Sequence, residues 1–398
     1  MHVLSFADTR FPIERANGVQ TMATCRALAA RGHAVTLVVR PDSAPAARDP
    51  FAFYGWARVP TLTIATIPSF GGRRTRRLRF LLGAMKLAHD ATGAVVYTRD
   101  LGLAAFLLQL PAARRPIVVY ESHGIAPVVA AEMPVLLGQP ELAPSPAKQH
   151  RLDRREARVW RRAHGFVTIT RALQDELSAR YGPRERVFVV PDGADPPAVV
   201  PELSLDGTPA PVPVAAYAGH LYPWKGADVF VQALALAPGV QGLVIGGHPQ
   251  EADRTRIERL AVDLGVADRL EITGLLPRAR VAAELARATM LVLPNTASAI
   301  SDRYTSPLKL FEYLWAGRPI IASDLTSLRE VLTAGAAVFV PAGDAAALAA
   351  AMRELARDPT RAAALAATAR TLAPLYTWEA RAGRLEAALD AARAAARS

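Results

Sequence analysis

The 398-residue chain has a single cysteine, Cys25. No intrachain disulfide can form, which excludes a disulfide-stapled scaffold and fits a reducing compartment. Long hydrophobic runs are also missing. A membrane-spanning helix takes about 20 consecutive apolar residues. The alanine-rich stretch near 345–351 is too short and follows Asp344. The opening MHVLSFADTR carries no basic segment ahead of a long apolar run, so it reads as a first β-strand and not as a targeting signal. No G-x-G-x-x-G follows that strand, which counts against a nicotinamide-dinucleotide enzyme. There is no D-x-D pair and no His, Cys or carboxylate cluster at metal-ligand spacing, so neither a metal nor a cofactor is expected. Helix-turn-helix, zinc-finger and RNA-stacking signatures are absent, so nucleic acid is not an expected partner.

The composition is that of an ordinary globular protein, with 51% hydrophobic and 21% charged residues. Basic residues outnumber acidic ones by 47 to 36, a net charge of +11. Such a surface attracts nucleic acid, anionic lipid or phosphorylated small molecules. The excess is mostly arginine in an Ala/Arg/Pro-rich background, as a GC-rich genome also produces.

Short apolar, β-branched runs alternate with helical patterns. The predicted strands are 2–7, 34–39, 61–67, 94–99, 117–122, 166–170 and 187–191, then 214–219, 242–247, 270–274, 290–295, 319–324 and 337–341. Continuous apolar runs are what crossover helices on both faces require of parallel strands. The reading is α/β, with doubly wound parallel sheets. Thirteen strands exceed one ordinary sheet, and the proline-rich stretch 195–213 lacks periodicity. Two Rossmann-like domains follow, 1–198 and 214–375, joined by a linker at 199–213. A helix over 376–398 is able to pack on either of them.

Ligands of such folds bind beyond the strand C-termini, so the turns there carry the functional expectations. In the first, Asn17-Gly18 is read as a turn able to take positive φ, or as a plain loop. In the second, Gly219 ends a strand and Lys225-Gly226 opens a helix. A lysine there opposes the helix dipole unless an anion sits between it and the amides. The bland alternative is a solvated surface lysine. In the third, Ser306 is the expected N-cap and Pro307 the first helical residue. Lys309 then falls in the first turn, with Glu312 on the same face. Two lysine-bearing helix starts and a carboxylate suit a sugar nucleotide, the lysines for its diphosphate and the carboxylate for its ribose. The alternative is a Lys–Glu surface pair.

The segments GHLYPWKG, LVLPN and SPLKLFEYLWAGRPIIASD resemble the retaining GT-B glycosyltransferases of family 4, in particular an SPxKxxEY subgroup. NGVQT, YTRD, YESHG and VVPDGAD match the same family in order, over nearly the whole chain. The resemblance implies two domains facing across a cleft, with a nucleotide-diphosphate sugar bound mainly by the second and the acceptor by the first. It makes Lys225 a diphosphate ligand, with His220 beside Gly219 where the family usually has arginine. Glu312 becomes the ribose ligand. Tyr304 falls where the family has the first glutamate of an E-x7-E motif, a departure that touches the sugar hydroxyls. Ser306, Pro307, Leu308 and Lys309 complete the donor side, with Gly18 approaching donor and acceptor. His123 is implied at the sugar site, a catalytic position with Lys225 and Glu312. Asn17, Arg99 and Asp100 are expected on the acceptor side, and Glu121 is expected to point away as a structural residue.

Cys25 is expected in the core, and residues 150–165 as a structural helix. The basic stretch 71–80 reads as a solvated face, or as a patch docking on anionic lipid, as enzymes of this fold with lipid-linked acceptors often have. The implied activity is a metal-independent retaining transfer to a sugar or lipid-linked acceptor in cell-envelope polysaccharide or glycolipid synthesis. The implied location is cytoplasmic, or peripheral on the inner face of the plasma membrane. Two other readings are a sugar-nucleotide epimerase of the same fold and a non-enzymatic, basic surface-binding protein.

Overall fold

The computed structural model describes residues 1–199, 212–248 and 252–397. Two compact units emerge: 1–130 with 144–192 and 378–398, and 131–143 with 193–377. Residues 131–143, expected with the first domain, group with the second. Most of the expected linker, 200–211, lies outside the described residues.

The first unit is built on seven strands, β1 (His2–Arg10), β2 (Ala34–Arg40), β3 (Leu62–Thr66), β4 (Val95–Thr98), β5 (Ile117–Ser122), β6 (Gly165–Thr168) and β7 (Val187–Val189). They pair in parallel in the order β3-β2-β1-β4-β5-β6-β7. The second unit has β8 (Val214–Ala218), β9 (Gln241–Ile245), β10 (Leu270–Ile272), β11 (Met290–Leu293), β12 (Ile320–Ser323) and β13 (Ala337–Val340). These form a parallel sheet of order β10-β9-β8-β11-β12-β13. Each predicted strand is present among the described residues, and the fold class is α/β as expected. Each sheet reverses its strand order once, between β1 and β4 and between β8 and β11. At such a switch point the connecting loops diverge and leave a crevice above the strand ends.

Both faces of the second sheet are covered. Tyr217, Val244, Met290, Val292 and Ile321 point into one apolar core, and Ala216, Leu243, Leu291, Leu293 and Ile320 into the other. This alternation is why the strands read as unbroken apolar runs. Cys25 is fully buried in helix Ala16–Ala30, and burial pushes its thiol up to about 12. Residues 150–165 contain most of helix Pro146–Arg162, whose Val159 and Trp160 are buried.

The helix Trp378–Ala395 belongs to the first unit, against β5, β6, β7 and helix Ala16–Ala30. Trp378, Leu385 and Leu389 fill its buried face. Gly165 on β6 lets it come close, because a Cβ there would stand 3.2 Å from the Ala388 carbonyl oxygen.

Two local expectations are corrected. The Asn17-Gly18 pair, expected in a turn or loop, lies inside helix Ala16–Ala30, and Gly18 there has no positive φ. The glycine is required by space: a Cβ would come within 2.5 Å of the Tyr54 hydroxyl and 2.8 Å of the Ile13 carbonyl oxygen. Near Ser306, the helix runs Leu308–Ala316 with Pro307 at the N-cap position, one residue later than expected. Pro307 has extended ψ, and no side-chain cap is made. Gly317 closes this helix in the left-handed conformation.

Candidate functional site

In the first unit a cavity of about 300 Å³ sits above the C-terminal ends of β1 and β4. Its lining includes Asp8, Asn17, Gln20, Arg99, Asp100 and His123. Asn17, Arg99 and His123 are thus brought together, while Gly18 stays in the helix behind them. Asp8 is held by Arg40 and by Arg77 at 2.5 Å. Asp100 is held by Arg77 and also caps the helix Leu101–Leu107 through the Leu103 amide at 2.9 Å. Both carboxylates are therefore compensated, and Arg99 lies on the cavity wall with its guanidinium 4.0 Å from Glu121.

Glu121 does not point away from His123. Residues two apart on an extended strand share a face. His123 Nε2 and Glu121 Oε1 are 2.6 Å apart, and Glu121 is fully buried. Burial raises the Glu121 carboxyl, but Arg381, His123 and Arg99 outweigh it and hold the group well below the usual range. Burial and Arg99 lower His123, against the opposing pull of Glu121. Arg381 lies on the C-terminal helix, and sequence reading missed it. An arginine among alanines and leucines of an amphipathic helix carries no local sign of burial.

In the second unit the loop after β8 carries Gly219, His220 and Lys225. Gly219 has φ +121 and Gly226 φ +73. A Cβ on Gly226 would collide with the Pro294 carbonyl, so this position places the chain directly against the end of β11. His220, Tyr222 and Trp224 form a ladder, with ring centroids 5.1 Å and 4.8 Å apart and nearly parallel planes. The His220 carbonyl accepts from the Tyr217 hydroxyl at 2.5 Å.

Lys309, at the second position of helix Leu308–Ala316, is buried beside Gly219. A Cβ on Gly219 would be 3.8 Å from its Nζ. Its ammonium lies over the Tyr217 ring and has no hydrogen-bond partner among the described residues. The Lys–Glu surface pair is therefore not formed. Burial and the neighbouring charge of Lys225 hold Lys309 well below its usual value. Lys225 is half-buried, and burial lowers it to about 8. Its helix starts at Ala227, after a short turn Pro223–Lys225. Glu312 is half-buried one turn along from Lys309, and burial raises its carboxyl against the pull of Arg278 and Lys309.

Tyr304 is buried and ends the helix Ala299–Arg303, just before Ser306 and Pro307 lead into the next helix. Leu308 is that helix's first residue. Asn295, after β11, is fully buried, and neither amide atom has a partner among the described residues. It was not singled out as a ligand in the sequence; a polar residue closing an apolar strand is the only local hint.

The physical sum at this site is two neighbouring lysines near a helix N-terminus, the buried one without a hydrogen-bond partner among the described residues. Burying charge without a partner is costly, and an anion arriving there removes the cost. Glu312 adds an acceptor for hydroxyl donors. Among the described residues no group of three or more His, Cys, Asp or Glu is placed to hold a metal ion, and no described helix is long and apolar enough to cross a membrane.

Two family models match: "Glycosyltransferase Family 4" over residues 17–197, and "Glycosyl transferases group 1" over 212–358. A D-inositol 3-phosphate glycosyltransferase of Xylanimonas cellulosilytica is 30% identical over 239 residues, 56% of each chain. The chain spans about half the length of the curated relatives it matches. Among solved structures, sucrose-phosphate synthase from Thermosynechococcus elongatus superposes with a TM-score of 0.74 at 21% identity, over 97% of both chains. Anabaena Alr3699/HepE in complex with UDP-glucose gives 0.73 at 16%, over 98% of this chain and 99% of that one.

Proposed function

The chain belongs to the family 4 glycosyltransferases and has their GT-B fold, and on that premise we propose that it moves a sugar from a nucleotide-diphosphate donor to a hydroxyl acceptor, without a metal ion and with retention of anomeric configuration. The observation that carries this reading is Lys309, a buried ammonium without a partner, next to a second lowered lysine.

The donor occupies the second unit. Its diphosphate lies against Lys225, Lys309 and the amides opening helix Leu308–Ala316, and Glu312 accepts from the ribose hydroxyls. Gly219, with no side chain, leaves room for the phosphates. His220 stands beside them. Ser306, Pro307 and Leu308 shape the entry to the helix, and Tyr304 replaces a carboxylate near the transferred sugar. As the anomeric C–O bond breaks, its electron pair goes to the leaving β-phosphate oxygen, where the lysines and amides stabilise it. The acceptor oxygen attacks from the same face, and its proton passes to the departing phosphate. The acceptor is held in the first-unit cavity by Asn17, Arg99 and His123.

A UDP-sugar is the first donor to test, since HepE was solved with UDP-glucose. The acceptor is a sugar or lipid-linked sugar of the cell envelope, reached from the cytoplasmic side. Peripheral contact with anionic lipid is assigned to helix Arg73–Asp90. Leu78, Leu82 and nearby Phe70 are exposed beside the exposed Arg73 and Arg74. Within the same stretch, Arg77 and Arg79 are already bound inside the protein.

The deciding experiment is thermal unfolding with UDP, GDP, ADP, TDP and CMP. A ligand at 100 times its dissociation constant adds about 2.7 kcal/mol of stability. One diphosphate is expected to raise the midpoint; a response to none removes the donor site. Product analysis without acceptor separates transfer from epimerisation, because an epimerase turns over donor alone.

A further inference from the structure

The first unit buries an arginine and a glutamate against each other. Arg381 donates from Nη2 to Glu121 Oε2 at 2.7 Å, and neither side chain is exposed. Replacing such a pair by apolar side chains is often neutral or stabilising, so stability alone is a weak reason for its presence. The other Glu121 oxygen supplies a better one. Oε1 accepts from Gln20 Nε2 at 2.8 Å and meets His123 Nε2 at 2.6 Å, while the Tyr97 hydroxyl donates to Oε2. Arg99 donates to Gln20 Oε1 at 2.6 Å, which turns the Gln20 amide so that its NH₂ faces Glu121. Asp192 also flanks Arg381, 3.4 Å from its Nε. Every group around the carboxylate is thus set as a donor, as an ionised Glu121 requires.

We propose that Arg381 and Glu121 are positioning residues for His123: the carboxylate, held ionised by Arg381, keeps the imidazole proton on Nε2 and leaves Nδ1 as a hydrogen-bond acceptor for a substrate hydroxyl in the first-unit cavity. An ionised carboxylate accepts only, so the nitrogen facing it carries the proton. Among the described residues the second nitrogen has no hydrogen-bond partner, and His123 lines the cavity. Neutral imidazole is favoured by burial and by Arg99 nearby. A carboxylate that fixes a histidine tautomer from behind is a general device for setting which nitrogen meets a ligand. The identity of the substrate hydroxyl rests on the proposed function; the tautomer does not.

The test is nitrogen-15 NMR of histidine-labelled protein, with the His123 signals assigned by His123→Asn. The wild type is expected to show protonated Nε2 and bare Nδ1 at neutral pH. Protonated Nδ1 overturns the proposal, and this measurement needs no variant of the pair. The double variant Glu121→Gln/Arg381→Met removes both members of the buried pair, and Arg381→Met alone controls for the lost contact with Asp192. The double variant is expected to show mixed tautomers and a kcat lower by about 100-fold, with the donor KM within about twofold. Arg381→Lys is expected to restore both the tautomer and most of the rate. An unchanged tautomer in the folded double variant overturns the proposal whatever the rate, and so does a changed tautomer with wild-type kcat. Failure of the functional reading is seen separately, as a wild-type midpoint that no nucleoside diphosphate raises; the tautomer result stands or falls without it.

Discussion

Lys309 places its ammonium 3.6 Å from the centre of the Tyr217 ring and makes no hydrogen bond among the described residues. An aromatic face offers a cation partial compensation without competing for its N–H donors. The three donors remain available for a phosphate. Lys309→Met is expected to leave the free protein at least as stable, because it removes an uncompensated buried charge. The same change should weaken nucleoside diphosphate by roughly 10-fold or more, the loss of a charge-assisted hydrogen bond. Calorimetric titration and thermal unfolding of the one variant check both halves.

Lys225 gives a pH dependence. Its folded value, about 8, is below the ordinary 10.5. Between those values the unfolded chain holds more protons than the folded one, so this group makes the ligand-free protein more stable as pH rises through that window. Diphosphate binding needs the ammonium and runs the other way, weakening as pH climbs past about 8. Affinities measured from pH 6.5 to 10 should show this fall, and Lys225→Met should flatten it. Lys225→Met should also weaken nucleoside diphosphate far more than free nucleoside.

Glu312→Ala is expected to abolish most transfer while the protein stays folded. Loss of hydrogen bonds to a charged acceptor is worth about 1.5–3 kcal/mol, or roughly 10- to 150-fold in kcat/KM. Steady-state kinetics with circular dichroism of the same sample tests it; wild-type turnover removes Glu312 from the site.

Gly226→Ala should destabilise by at least about 2 kcal/mol, from the left-handed conformation and the collision with the Pro294 carbonyl together. Gly239→Ala is the control. Its φ is also positive, +86, but nothing stands near the added methyl, so about 1 kcal/mol is expected. Chemical denaturation of both variants measures the difference.

Asn295→Leu keeps the number and branching of the side-chain heavy atoms and removes two buried polar atoms without partners among the described residues. An unsatisfied buried group costs about 1–3 kcal/mol. The ligand-free variant should be as stable as the wild type or more so, and its affinity for the donor should fall. Equal donor affinity would show that the amide does not meet the ligand.

The strands were legible because a sheet covered on both faces leaves continuous apolar runs such as MLVLPN and PIIASD. The lysine turns were legible because a cation at a helix start contradicts local electrostatics, and such a contradiction asks for a ligand. What escaped depends on tertiary contact. Gly18 reads as a turn residue, but its smallness serves the Tyr54 hydroxyl, 36 positions later. The start of its helix has Arg15 at the N-cap position with no capping side chain, so no signal marked it. Glu121 lies on β5 and His123 is the first residue past its end, where the strand's period of two, carried one step further, would have paired them. Arg381 had no such route, since its partner lies 260 positions away.

That separation has a bearing on how the chain assembles as it is made. Domains commonly fold in the order in which they are synthesised. Here the seven strands of the first unit are translated before β8 begins, but the helix covering β5, β6 and β7 is translated after β13. Until it docks, Glu121 is without Arg381, and the apolar surface that Trp378, Leu385 and Leu389 later cover is open. The unit begun first at the ribosome is therefore finished last, and the pocket wall carrying His123 reaches its final form only once the second unit has been synthesised.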